Sequence, residues 1–154
     1  MLDQNQLKKI KQISEEFFHK ACFEANVEVF FEEETVNLKV KTDQPQILIG
    51  EKGQVLSEIQ YLLKLVLRKT INQPFFVNLD INGYKEKKYK YLRELARSAA
   101  DEVILSRQKK ELAPMPAHER RVVHLELASR DDVITESAGQ AEERRVVVRP
   151  KNIV

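Results

Sequence analysis

This sequence predicts an α+β fold in two small modules, on three observations. Apolar residues recur at three- and four-residue steps in some stretches and at every second residue in others. Two of only four glycines, Gly50 and Gly53, stand three apart between short apolar runs. The stretch from Tyr84 to about Lys110 holds neither glycine nor proline, and the proline-rich Glu111-Leu112-Ala113-Pro114-Met115-Pro116 follows it. At 154 residues the chain has room for two small cores, and the expected division is 1–82 and 83–154, with the long helix in the second module.

Residues 3–25 carry Leu7, Ile10, Ile13 or Ser14, Phe17, Phe18, Ala21 and Cys22 on one helical face, with Lys8, Lys9, Lys11, Glu15 and Glu16 opposite. Val27, Val29 and Phe31, then Val36, Leu38 and Val40 after the turn Glu32-Glu33-Glu34, alternate with polar positions and predict a hairpin. Gln44 to Ile49 allows a short helix with Pro45 in its first turn. A second helix is expected from Gln54 to Thr70 with Val55, Ile59, Leu62, Leu63 and Val66 inward, until Asn72-Gln73-Pro74 breaks it. Phe75, Val77, Leu79 and Ile81 alternate as a third strand. The long helix from Tyr84 points Leu92, Leu95, Ala96, Ala99 and Val103 inward. A helix over 117–128 and strands over 133–137 and 144–149 close the chain, with Pro150 expected to end the pairing.

Composition excludes several function classes. Hydrophobic residues at 42% beside 32% charged residues describe a globular chain rather than a disordered or membrane one. Apolar runs are broken by charges, and no basic segment precedes an apolar run at the N-terminus, so neither membrane insertion nor export is expected. The lone Cys22 cannot form an internal disulfide, which points to a reducing, cytoplasmic setting, and its alignment with Phe18 predicts a packed thiol. With only His19, His118 and His124 and no Cys/His cluster, neither a metal site nor a cofactor is expected. No catalytic spacing recurs, so the chain is not expected to be an enzyme; Asp131-Asp132 could hold a divalent ion but reads more simply as a turn.

A net charge of +2 hides an uneven distribution. Residues 43–110 hold 13 basic and 8 acidic side chains, whereas 1–42 hold 6 and 8 and 111–154 hold 7 and 8. That central excess runs from the glycine turn through Lys85, Lys87, Lys88, Lys90, Arg93 and Arg97, as a phosphate-facing surface would require, although a solvated helix face has the same composition. Tyr84, Tyr89 and Tyr91 lie among these lysines, where they either stack on bases or cover helix surface.

The order helix, strand, strand, short helix, Gly-x-x-Gly, helix, strand resembles a KH domain of the type II arrangement (αββααβ). The resemblance implies that Gly50, Glu51, Lys52 and Gly53 clamp the backbone of about four nucleotides. Glycines permit close backbone approach, Lys52 offers a phosphate partner, and the amides opening the helix at Gln54 add a positive dipole end. Glu51 is acidic, which leaves Lys52 as the loop's phosphate contact. Downstream, Pro-Met-Pro-Ala-His-Glu-Arg-Arg-Val-Val-His-Leu, then Ser-x-Gly, then Arg-Arg-Val-Val-Val-Arg-Pro resembles an R-three-H domain. That domain's arginine and histidine match Arg120 and His124, four apart on one helical face, with Arg121 beside them. The two patterns in one chain resemble the Jag (SpoIIIJ-associated) family of bacterial RNA-binding proteins. The implied partner is single-stranded RNA, with single-stranded DNA as the alternative ligand and a second KH protein or a second copy as protein partners. Members often carry a further N-terminal domain. This sequence begins at the KH helix, so the resemblance does not by itself imply for it the roles that depend on that extra domain, in envelope growth or with a membrane insertase.

Overall fold

The computed structural model describes residues 2–151; Met1 and residues 152–154, the outer ends of the two predicted modules, lie outside the described residues. The chain divides between Lys85 and Glu86 into two compact units, each with its own core. Among the described residues no helix is long and apolar enough to cross a membrane.

In the first unit, helix α1 (Gln4–Lys20) starts on a capping box. The Asp3 carboxylate accepts from the Gln6 N–H at 2.8 Å, and the Gln6 side chain accepts from the Asp3 N–H at 2.9 Å. The helix stops earlier than its apolar period suggests. The Phe23 N–H donates to the Phe18 carbonyl and the Cys22 N–H to that of His19, both at 2.9 Å, with Cys22 left-handed at φ 64°. Cys22 is therefore exposed, and the expectation of a packed thiol is corrected: past Lys20 the helical face no longer exists to carry it.

Strands β1 (Ala25–Glu32) and β2 (Thr35–Thr42) form the hairpin in a register that puts Val27 opposite Val40 and Val29 opposite Leu38. Its two-residue loop, Glu33-Glu34, has positive φ at both positions, 46° and 61°, where glycine or asparagine is the usual choice. After α2 (Pro45–Ile49) and α3 (Gln54–Thr70), strand β3 (Phe76–Ile81) pairs parallel to β2, with Leu38 opposite Leu79 and Val40 opposite Ile81. The sheet order is β1-β2-β3, and α1 and α3 cover the face that carries Val27, Leu38 and Leu79. The type II order is thus realised element by element.

The buried stripe of α3 differs from the predicted one. Leu56, Ile59, Leu63 and Leu67 are buried, while Leu62 and Val66 are 49% and 42% exposed. Apolar residues surround most of this helix, so its period admits more than one stripe, and packing on the sheet selects among them.

The second unit holds α4 (Tyr84–Ser106) for most of its length, β4 (Lys110–Glu111), α5 (Ala117–Leu127), β5 (Val133–Ala138) and β6 (Arg145–Pro150). Its antiparallel sheet has the order β4-β6-β5. Leu92, Ala96, Ala99, Ala100 and Val103 of α4 pack with Val123, Leu127, Val146 and Val148. The helix ends at Ser106 rather than Lys110, because Arg107 turns left-handed (φ 57°) and Lys110 joins the sheet opposite Val148. Pairing also runs through Pro150, which stands opposite Val133 as the last strand residue, where its missing N–H is tolerated.

Candidate nucleic-acid interface

Between α2 and α3 the chain makes one 3₁₀ turn over Glu51–Gly53. Gly50 adopts φ 71° and ψ −176°, a region open almost only to glycine, and its N–H donates to the Gln46 carbonyl at 3.0 Å. Lys52 (φ 52°) and Gly53 (φ 79°) are both left-handed. Glu51, Lys52 and Gln54 are exposed, whereas Gly53 is buried. Among the described residues no side chain caps the start of α3, and the Gln54 side chain turns along the helix to donate to Glu58 at 3.3 Å.

The structure gives both glycines an internal reason. A Cβ at Gly50 would lie 2.4 Å from Val55 Cγ2, and one at Gly53 would lie 3.1 Å from the Tyr84 ring. Glycine therefore lets the loop fold tightly onto its own unit, and that folding raises Lys52 at the tip. Tyr84 is accordingly a packing residue beneath the loop, as Tyr89 is in the second core, while Tyr91 is 55% exposed with Lys88 Nζ 5.8 Å from its ring centre.

The free edge of β3 lies beside α3. The Leu79 N–H donates to Gln60 Oε1 at 2.9 Å, and Lys85 Nζ donates to the same oxygen at 3.0 Å and to Asn78 Oδ1 at 2.7 Å. Burial pushes the Lys85 ammonium below its ordinary pKa, with Asp80 opposing. Of the basic run read from the sequence, Lys85 is thus committed internally, Lys88 lies 3.8 Å from buried Glu119, and Arg97 bonds Glu126 at 2.5 Å. Lys87, Lys90 and Arg93 stay exposed, so the α4 surface is less basic than its composition.

In the second unit, α5 and β5 bring Arg120 and His124 together with two hydroxyls. Arg120 Nη1 donates to the Met115 carbonyl at 2.8 Å. His124 Nδ1 lies 2.8 Å from Thr135 Oγ1, and Nε2 lies 3.0 Å from Ser137 Oγ. Burial first, and then the Arg120 charge, lower the His124 pKa below the usual imidazole value. Arg121 is exposed at a different azimuth and is not part of this cluster. Sequence reading missed Thr135 and Ser137; the signal for them is two hydroxyls at i and i+2 on the inward side of an alternating strand that begins at Val133.

Asp132 does not gather an ion with Asp131. Arg130 takes both Asp132 oxygens, at 2.9 and 2.6 Å, and holds that carboxyl below its usual pKa. Among the described residues no group of three His, Cys, Asp or Glu side chains could hold a metal ion.

A KH domain family profile matches residues 8–88, just over half of the chain. The chain belongs to the KH domain family. An R-three-H domain profile matches residues 90–150, so the KH domain is followed by the second expected module. Relatives named RNA-binding protein KhpB bear out the resemblance to the Jag family. The one from Clostridium symbiosum is 35% identical over 77% of this chain and 54% of its own length. Those from Lactiplantibacillus plantarum and Bacillus subtilis are 34% and 30% identical, over 80% and 82% of this chain and 38% and 62% of their own lengths. The chain therefore spans between about two fifths and three fifths of these relatives.

Proposed function

We propose that this chain is a non-catalytic binder of single-stranded RNA, acting in post-transcriptional regulation in the cytoplasm, with the KH loop and the Arg120 face gripping successive stretches of backbone. The observation that carries the reading is the loop geometry. Two glycines packed against their own unit hold Lys52 exposed at the uncapped start of α3, where an ammonium and helix amides meet phosphate together. Gly50, Glu51, Gly53 and Gln54 shape and flank that contact. Arg120 supplies the second contact, and Arg121 adds a cation nearby. The relatives' name, RNA-binding protein, supports RNA over DNA.

Fluorescence anisotropy with a labelled single-stranded RNA, and with the DNA of the same sequence as competitor, tests the reading. Affinity is expected to fall steeply with salt, to favour RNA, and to drop in Lys52→Ala and Arg120→Ala. Wild-type affinity in the double variant Lys52→Ala, Arg120→Ala would refute it.

A second reading rests on the outer side of α3. Tyr61, Leu62, Leu65 and Val66 form a contiguous apolar patch, with Tyr61 at 59% and Leu65 at 49% exposed. Such a patch suits pairing of the KH face with another KH protein or a second copy. Light scattering of the chain, alone and with a small KH protein, is expected to show a complex that Leu65→Lys disrupts; a strict monomer in both cases removes this reading.

A further inference from the structure

Every polar atom of the His124 ring is already engaged inside the protein. Nδ1 meets Thr135 and Nε2 meets Ser137, at 2.8 and 3.0 Å, and a hydroxyl can donate to one ring nitrogen while another accepts from the other. Those hydroxyls are held firmly. Thr135 stands opposite buried Val148 and Ser137 opposite buried Val146 in the β5–β6 register. The turn behind them depends on Gly139, at which a Cβ would lie 2.7 Å from the Glu143 carbonyl oxygen. Arg120 differs from His124. Among the described residues only its Nη1 is committed, to Met115, whose own N–H donates to the Arg144 carbonyl at 3.1 Å, and guanidinium carries five N–H donors.

We propose that Thr135 and Ser137 are positioning residues of the nucleic-acid interface: they lock His124 as a neutral strut between α5 and β5, and of the Arg120 and His124 pair Arg120 brings the charge that meets phosphate. This rests on the single-stranded RNA reading and refines it. The chemistry recognised is one phosphodiester gripped by the free side of a guanidinium fork, with no imidazolium share. The surroundings agree, since the charge acting on the ring is Arg120 itself, one helical turn away, and β5 faces the ring only with hydroxyls.

The test uses the whole chain and a fluorescein-labelled 12-mer single-stranded RNA. It is run at about pH 6.0, where an ordinary imidazole of pKa about 6.5 is mostly charged. The slope of log affinity against log salt counts neutralised phosphates at about 0.7 each for single strands. Arg120→Ala is expected to lower that slope by about 0.7. His124→Gln, Thr135→Ala and Ser137→Ala are expected to weaken binding by about 3- to 10-fold, the worth of one misplaced hydrogen bond, with the slope unchanged. Thr135→Ser and Ser137→Thr should recover wild-type affinity. A slope in His124→Gln that falls as far as in Arg120→Ala makes the imidazolium a phosphate contact and overturns the proposal while leaving RNA binding intact. Wild-type affinity in Thr135→Ala and Ser137→Ala also overturns it. Wild-type affinity and slope in Arg120→Ala remove Arg120 from the interface and the proposal with it, and the Lys52→Ala result then tells separately whether the RNA reading survives. Should His124→Gln fail to fold, nitrogen NMR of the His124 ring in the wild-type chain decides: a neutral ring with both nitrogens hydrogen-bonded at pH 6.0 supports the proposal, and an ordinary imidazolium titration overturns it.

Discussion

Reversing the charge at Glu51 is the sharpest probe of the KH loop, because that residue stands exposed beside Lys52 at the tip. Glu51→Lys therefore changes the field over the loop without touching the core. A unit charge about 6 Å from a phosphate in bulk water is worth roughly 0.7 kcal/mol, so moving from repulsion to attraction amounts to about 1.4 kcal/mol, or tenfold before screening. With Debye lengths of about 30 Å at 0.01 M and about 8 Å at 0.15 M salt, the gain becomes roughly sevenfold and roughly threefold. The assay is RNA binding by anisotropy at both salt concentrations, with far-UV circular dichroism as the folding control. A salt-dependent gain of that size is expected, with a steeper slope of affinity against salt. Unchanged affinity at low salt would mean that no phosphate passes over the loop, and the role given to Lys52 would fall.

Three other outcomes follow from the geometry. Gly50→Ala meets Val55 Cγ2 at 2.4 Å in a backbone region nearly closed to alanine, so urea unfolding should show a loss of roughly 3 kcal/mol, part of which the double variant Gly50→Ala, Val55→Ala recovers. Glu33→Asn with Glu34→Gly places the preferred residues at two positive-φ positions of the hairpin loop and should add about 1 kcal/mol, read as a higher melting temperature. His124 has a lowered pKa in the folded chain, so below pH about 6.5 the unfolded chain binds the extra proton first. Stability should accordingly fall on acidification through and below that value, and thermal melts of wild type against His124→Gln across pH 5–8 should show the difference shrinking as pH falls.

Much of the fold was legible before any coordinates, for physical reasons that can be named. Alternation in Val36, Leu38, Val40 and in Val77, Leu79, Ile81 sets which side of each strand is buried, and a one-residue slip would turn every one of those side chains outward. Pro45 at the start of α2 and Gly50 at its end act locally, so the loop between α2 and α3 could be placed from residue types alone. The misreadings lie where period is ambiguous or a local turn outbids it. On α3 the apolar residues run most of the way round, and on α1 a left-handed Cys22 ends the helix at Lys20, two residues before its apolar pattern does.

By itself the sequence determined the order of elements and singled out Lys52, Arg120 and His124 as candidates, because these depend on periodicity, on glycine and proline, and on spacing within one helix. Tertiary structure alone decided what those side chains are free to do. Whether a cation is available depends on partners distant in sequence: Lys85 is taken by Gln60 and Asn78, Lys88 by Glu119, and Arg97 by Glu126. The glycine loop is tight because Val55 and Tyr84 stand where Cβ atoms would be. Both ring nitrogens of His124 are engaged because β5 folds back to bring Thr135 and Ser137 within hydrogen-bonding reach, 11 and 13 residues away along the chain, and no spacing rule on α5 carries that information.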